Sequence, residues 1–196
     1  MFTGIIENLG EIKTIKKEGT NIHFGIDAPF KNELKVDQSI AHDGVCLTVT
    51  EVDDSLYSVT AIEETLNRTA LNTWEKGRVI NLERCMPANG RFDGHIVQGH
   101  VDQIGIVEKI ETLEGSWKYY ISYDDKLGNI TVEKGSICVN GVSLTVVDSK
   151  DGMFSVAIIP FTYEHTNFKH FEKGTPVNLE FDILGKYIQK VLAQRV

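Results

Sequence analysis

His100 is the side chain in this sequence best suited to moving a proton. An imidazole of ordinary pKa, about 6.5, exchanges protons near neutrality, so His100 leads as a general acid or base. A hydrogen-bonded strand histidine is the competing assignment. His95 and Asp102 flank it within the run 94–102, which raises the question of a metal site. On a strand, His100 and Asp102 would share a face and His95 would take the opposite parity. Gly99 would also bend that strand. No metal site is therefore assigned, and His95 is given a structural role. Cys46 is the other reactive group; its alternatives are a ligand contact, a covalent nucleophile and a buried structural thiol.

These groups sit in a chain that repeats itself. Residues 39–83 align without a gap on 136–180, an offset of 136 − 39 = 97. Gly44-Val45-Cys46-Leu47-Thr48-Val49 recurs as Gly141-Val142-Ser143-Leu144-Thr145-Val146. Thr65 and Thr69 recur as Thr162 and Thr166, and Asn81-Leu82-Glu83 as Asn178-Leu179-Glu180. Upstream, Gly4, Gly10 and Ile15 match Gly99, Gly105 and Ile110 at an offset of 99 − 4 = 95. The second copy thus carries extra residues between about 110 and 136. The division expected is a module at 1–90, a module at 91–187 and a tail at 188–196, with a Pro87 and Asn89-Gly90 linker. Cys46 and Ser143 occupy equivalent slots, as do Thr48 with Thr145 and Thr65 with Thr162. Two pockets lined with small hydrogen-bonding groups suit two similar small ligands. For the threonines the alternative is β-propensity alone.

The elements that must position them read as strands. Gly44–Val52, Leu56–Ile62 and Arg78–Arg84 are rich in β-formers or alternate with period 2. Val142–Asp148, Met153–Ile159 and Pro176–Phe181 are their counterparts. Asp43-Gly44 is a hairpin turn signal. Residues 64–74 fit a helical turn or short helix. In the tail, Ile188, Val191 and Leu192 have helical spacing, and so short a helix needs something to pack against. The fold class is all-β, one small antiparallel barrel or sandwich per module.

Composition sets the limits. The 196 residues carry a net charge of −8, 41% hydrophobic and 24% charged residues, with 17 Gly and 4 Pro. That is globular, turn-rich and unsuited to nucleic acid, whose phosphates call for clustered Lys and Arg. No apolar run approaches a membrane span. Met1–Ile6 lacks the basic and apolar regions of a secretion signal. Cys46, Cys85 and Cys138 are odd in number and scattered, which argues for a reducing compartment and a cytoplasmic location.

Met-Phe-Thr-Gly-Ile-Ile at 1–6, Gly-Val-Cys-Leu-Thr-Val at 44–49, Gly-His-Ile-Val-Gln-Gly-His-Val-Asp at 94–102, Lys-Gly-Ser-Ile-Cys-Val-Asn-Gly-Val-Ser-Leu-Thr-Val at 134–146 and Leu-Gly-Lys-Tyr at 184–187 together resemble riboflavin synthase of the α-chain type, a family of lumazine-binding repeats. The resemblance spans essentially the whole chain. It implies two six-stranded Greek-key β-barrels, a C-terminal α-helix and a homotrimer with inter-subunit sites. It implies a transferase of riboflavin biosynthesis that holds two 6,7-dimethyl-8-ribityllumazine molecules per active centre. One donates a four-carbon unit to the other, giving riboflavin and 5-amino-6-(ribitylamino)uracil. No metal and no redox cofactor is implied. Some relatives associate with a lumazine synthase shell, and others only bind lumazine or flavin as light-emission antennae; the latter is the alternative function.

Onto this sequence the resemblance places His100, Cys46 and Ser39 as catalytic residues. His100 would stand near the 7-methyl group that must lose a proton to become a carbon nucleophile. Cys46, Leu47, Thr48, the segment Thr60, Ala61, Ile62, Glu63, Glu64, Thr65, and Gly99, His100 and Val101 would line the first pocket. Ser143, Leu144, Thr145, the segment Ile159, Pro160, Phe161, Thr162, Tyr163, Glu164, and Lys134 and Asp182 would line the second. Gly4, Ile5 and Ile6 would bring backbone groups to a ligand, and Phe2 and Thr3 would cover the centre. Asp43, where Asn is frequent in the family, would pair with His42 or cap its turn. Phe161 stands where a polar residue is frequent.

Overall fold

The computed structural model describes residues 1–194. Arg195 and Val196, the end of the expected 188–196 helix, lie outside the described residues. The first module contains β1 (Asn8–Glu18), β2 (Asn21–Asp27), β3 (Ser39–His42), β4 (Val45–Val52), β5 (Tyr57–Ala61), α1 (Glu63–Arg68) and β6 (Val79–Arg84). The second contains β7 (Gln103–Leu113), β8 (Ser116–Ser122), β9 (Ser136–Val139), β10 (Val142–Lys150), β11 (Met153–Ile158), α2 (Pro160–His165) and β12 (Pro176–Phe181), followed by α3 (Ile183–Ala193). Each set of six strands closes into an antiparallel barrel, in the orders β1-β2-β5-β4-β3-β6 and β10-β11-β8-β7-β12-β9. The extra residues of the second copy fall between the 3-10 turn at Asp125–Leu127 and β9, the stretch that Glu33 and β3 bracket in the first. No helix among the described residues is long and apolar enough to cross a membrane.

Alternation fixes which side chains each strand buries. On β4, Val45, Leu47 and Val49 enter the core, while Cys46, Thr48 and Thr50 face out. On β5, Tyr57, Val59 and Ala61 enter it, leaving Ser58 and Thr60 outside. The short helices follow the outer face and then bend into 3-10 turns, where Thr69 and Thr166 accept from the backbone of Leu71 and Phe168. α3 begins at Ile183, ahead of the expected 188, because the Asp182 carboxylate caps it by accepting from Leu184 N.

The barrels are tied by two crossed straps. The first, Phe2–Ile6, precedes β1; the second, Val97–Val101, precedes β7. Phe2 and Val97 exchange backbone hydrogen bonds of 2.7 and 3.1 Å. Gly4 O accepts from Ser143 N of the second barrel at 2.7 Å, and Gly99 O accepts from Cys46 N of the first at 2.9 Å. Ile6 packs against the second core and Val101 against the first. A carboxylate of each strap's own barrel holds it: Glu83 accepts from Thr3 N, Thr3 Oγ1 and Gly4 N, and Glu180 accepts from Gln98 N, Gly99 N and His100 N. Phe2 is fully buried with Ala41, Val97 and Cys138 between the barrels. It therefore anchors the strap and does not cover a ligand, because no part of its ring reaches the surface.

A polar seam closes the opposite side of this interface. Asp43 and Asn140 occupy equivalent hairpin turns with φ +45°. Asp43 does not pair with His42, which turns into the core to bond Tyr57 Oη and Ile40 O. Its Oδ1 accepts from Asn81 N and Asn167 Nδ2, so it bridges barrels. Its Oδ2 finds no hydrogen-bond partner and lies 3.9 Å from Arg78. Burial, only partly offset by Arg78, pushes the Asp43 carboxyl up to about 7.

Two expected outcomes follow from these contacts. The unfolded pKa of Asp43 is about 3.9, so the folded state binds the extra proton between pH 4 and 7. Stability is lost as pH rises through that window. Asp43→Asn is expected to raise the melting temperature by several degrees at pH 8 and to change it little at pH 4.5; equal shifts at both would contradict the assignment. At Gly99 φ is +79°, and an added Cβ would meet Cys46 Cβ at 2.5 Å. Gly99→Ala is expected to destabilise by at least about 1–3 kcal/mol in denaturant titration, and wild-type stability would mean the strap can retreat freely.

Candidate active site

The ladder between β4 and β5 stops at Val49↔Val59 beyond a bulge. From there β4 follows β3, with Ser39↔Thr48 and Ala41↔Cys46, while β5 follows β2, with His23↔Thr60 and Ile22↔Ala61. The two strands part into a cleft that opens on the outer face. Cys46 and Thr48 edge one side; Thr60 and Ile62 edge the other. The second barrel repeats this: β10 and β11 pair only as far as Val146↔Val156, after which Ser143–Thr145 follow β9 and Ala157–Ile158 follow β8. Parted strands leave edge N–H and C=O groups for another partner. Such edges suit a flat heterocycle with alternating donors and acceptors.

The first cleft gathers most of the expected residues. Thr48 is exposed, Thr65 half-exposed, and neither hydroxyl has a side-chain partner among the described residues. Ser39 sits across from Thr48, beside Cys46. Burial pushes the Cys46 thiol up, and the hydrogen bond from Ser39 only partly offsets this. A thiol held neutral is a weak nucleophile, so the geometry favours contact over covalent chemistry. Ile62, 53% exposed, lies at the head of α1, where Glu63 and Glu64 are solvated and Glu64 pairs with Arg68. Leu47 and Ala61 point into the core, so they offer a ligand backbone only. The second strap ends at His100, exposed, with its N–H on Glu180.

The second cleft differs in its chemistry. Ser143 Oγ stands 2.6 Å from His95 Nδ1. Thr145 is exposed and Thr162 half-exposed. Leu144 packs partly against the core. Ile159 and Phe161 are 58% and 67% exposed, and Phe161 stacks on His165 at 4.1 Å. Pro160 is the first residue of α2, and the Glu164 carbonyl accepts from Lys169. Tyr163 is turned away from the cleft, stacked on Trp117 at 3.8 Å, so its side chain serves packing. Lys134 is an exposed turn residue with φ +65°. Asp182 caps α3 near His95.

The run 94–102 is irregular, so the parity argument for its side chains lapses. His95 goes to Ser143, Asp102 to Lys186 at 2.7 Å and to Phe181 N, and His100 to solvent. Among the described residues no group of three His, Cys, Asp or Glu is arranged around a metal position. A separate concavity of about 850 Å³ takes in Thr3, Ile5 and Ser39 with Arg84, Cys85 and Arg91, but Cys46, Thr48, Thr60 and Thr65 do not line it. The clefts recur in both modules, as two similar ligands require. Four groups were missed in the sequence. Glu83 and Glu180 were visible as repeated Asn-Leu-Glu, yet only their buried straps disclose the role. His95 was set aside, and His23, 2.8 Å from Thr60 Oγ1, carried no signal beyond its type.

The Lumazine binding domain family matches the chain twice, over residues 3–85 and 98–182. The chain is 44% identical to riboflavin synthase of Actinobacillus pleuropneumoniae over all of its length and 91% of that protein. It is 40% identical to riboflavin synthase of Bacillus subtilis over 98% of its length and 90% of that protein. A crystal structure of LumP complexed with 6,7-dimethyl-8-(1'-D-ribityl) lumazine superposes with a TM-score of 0.84 at 25% identity, covering 92% of this chain and 98% of that one. LumP complexed with riboflavin gives 0.84 at 28% identity, over 92% and 99%. With two lumazine binding domains, two matching clefts and full-length likeness to these enzymes, the chain belongs to the riboflavin synthase family.

Proposed function

We propose that this chain is a riboflavin synthase that converts two 6,7-dimethyl-8-ribityllumazine molecules into riboflavin and 5-amino-6-(ribitylamino)uracil. The observation that carries this is the pair of equivalent clefts, because the two substrates are the same molecule. Holding two rings in fixed orientation removes translational and rotational entropy from a bimolecular step, worth about 7–11 kcal/mol for well-aligned reactants. The chemistry consists of proton transfers and carbon–carbon bond exchange between the two substrates.

Each cleft opens on the outside of its barrel, so a second surface must close over it. We assign that surface to a neighbouring subunit of a homotrimer, the first cleft of one chain facing the second cleft of the next. The exposed apolar stripe Leu184, Tyr187, Ile188 and Val191 on α3 supports association, since its i, i+3, i+4, i+7 spacing finds no partner within the chain. In this reading Cys46, Thr48, Thr60 and Thr65 hold one lumazine, Ser143, Thr145 and Thr162 hold the other, and Ser39 positions Cys46. His100, free at the end of its strap, exchanges protons with substrate. The reducing compartment that free Cys46, Cys85 and Cys138 suit is the cytoplasm.

The purified chain given only the lumazine is expected to form riboflavin and the uracil in a 1:1 ratio, followed by absorbance and chromatography. His100→Ala is expected to lower kcat about 100-fold while lumazine binding, read by ligand fluorescence, is kept. Tight binding with no turnover by the wild-type chain would contradict the proposal and favour a binding role like that of the LumP structures.

A further inference from the structure

The two clefts carry different proton chemistry at one equivalent position. In the first, Cys46 is a thiol kept neutral by burial, with Ser39 as its hydrogen-bond partner. In the second, Ser143 has a histidine 2.6 Å away. His95 is fixed from both sides. Its N–H donates to Thr3 O of the first strap at 3.0 Å, and the Ser143 N–H donates to Gly4 O of the same strap. Gly94 permits this approach, since an added Cβ there would meet Thr3 O at 2.0 Å and Ser143 Cβ at 2.8 Å. The backbone thus holds the imidazole against the hydroxyl. Nothing in the first cleft repeats the pair, because Cys46 has no imidazole within hydrogen-bond reach among the described residues.

Resting on the functional assignment above, we propose that Ser143 and His95 form a proton relay for the lumazine in the second cleft, which makes that lumazine the carbon nucleophile of the reaction. The C–H bond of its 7-methyl group breaks, and the electron pair stays on the carbon, delocalised over the ring. The proton forms a new O–H bond at Ser143 Oγ as the proton already there passes to His95 Nδ1. The imidazolium returns a proton by the same path to the nitrogen of the departing uracil. The reaction therefore gains and loses no proton overall. Ser143 is the catalytic residue, and His95 is the acceptor that acts through it. A hydroxyl alone is too weak a base for this step, and an adjacent imidazole is the usual means of activating one.

The surroundings suit an imidazole that starts neutral. Burial holds His95 below the ordinary imidazole range, opposed by Asp182 at the head of α3. The other charged groups nearby are engaged elsewhere, Glu83 with the first strap and Lys186 with Asp102.

The test is the pH profile of kcat for wild type, His95→Gln and Ser143→Ala. Gln can keep a hydrogen bond to Ser143 but cannot titrate. Wild type is expected to lose kcat on the acid side as His95 becomes protonated. Both variants are expected to show a kcat about 100-fold lower, no acid limb from this group, and KM within about threefold of wild type. The double variant is expected to add little to either single one, as for residues acting as a unit. A His95→Gln enzyme with wild-type kcat and pH profile would overturn the relay, as would a raised KM with unchanged kcat. Should His95→Gln fail to fold, Ser143→Ala with an intact acid limb would overturn it equally. A wild-type chain that binds lumazine without turnover would overturn the functional assignment itself, which is a separate outcome.

Discussion

Everything at the two clefts depends on a pair of buried carboxylates. Glu83 and Glu180 are nearly inaccessible, and a buried carboxylate is tolerated only where donors surround it. Burial raises both, and the backbone N–H groups of the straps act against that rise. Each carboxylate belongs to one barrel and grips a strap that completes the other. Ile6 fills the second core and Val101 the first, while Gly4 and Gly99 bond the β-strands that carry Ser143 and Cys46. Neither module is complete without its neighbour. A division at residue 90 separates β6 from the strap that finishes the first cleft.

Duplication then explains both the likeness of the clefts and their differences. The parted strands and outward threonines are shared, so each cleft can take the same flat ring. The divergences fall at the reactive positions: Cys46 against Ser143, and Ile5 against His100 on the straps. Asp43 against Asn140 is a third divergence, but it lies in the seam between barrels, where it affects stability and leaves the clefts untouched. Two identical substrates that must play unlike roles require this combination of common recognition and unequal chemistry.

The strands were legible because alternation reports burial directly. Pro176–Phe181 matched its expected bounds, and β4 and β5 differed by a residue or so at their ends. Family likeness supplied the six-stranded closure and the pocket residues, which periodicity alone left as barrel or sandwich. The straps were illegible, because 94–102 looks like a strand by composition while its backbone follows Glu180. The pairing of Asp43 was equally hidden: its partners Asn81 and Asn167 lie 38 and 124 residues away in sequence. Non-local contacts of single polar groups leave no periodic trace. His95 shows the same limit, since a lone histidine acquires meaning only from the hydroxyl it meets.

The central claim is that one chain carries two lumazine sites of similar shape. A lumazine lacking the 7-methyl group keeps the recognition edge but cannot supply the carbon nucleophile, so it binds without reacting. Calorimetric titration of the intact protein with this compound measures the stoichiometry directly. Two equivalents per chain, with distinct enthalpies for the Cys46 and Ser143 clefts, are predicted. A single equivalent per chain would contradict the account.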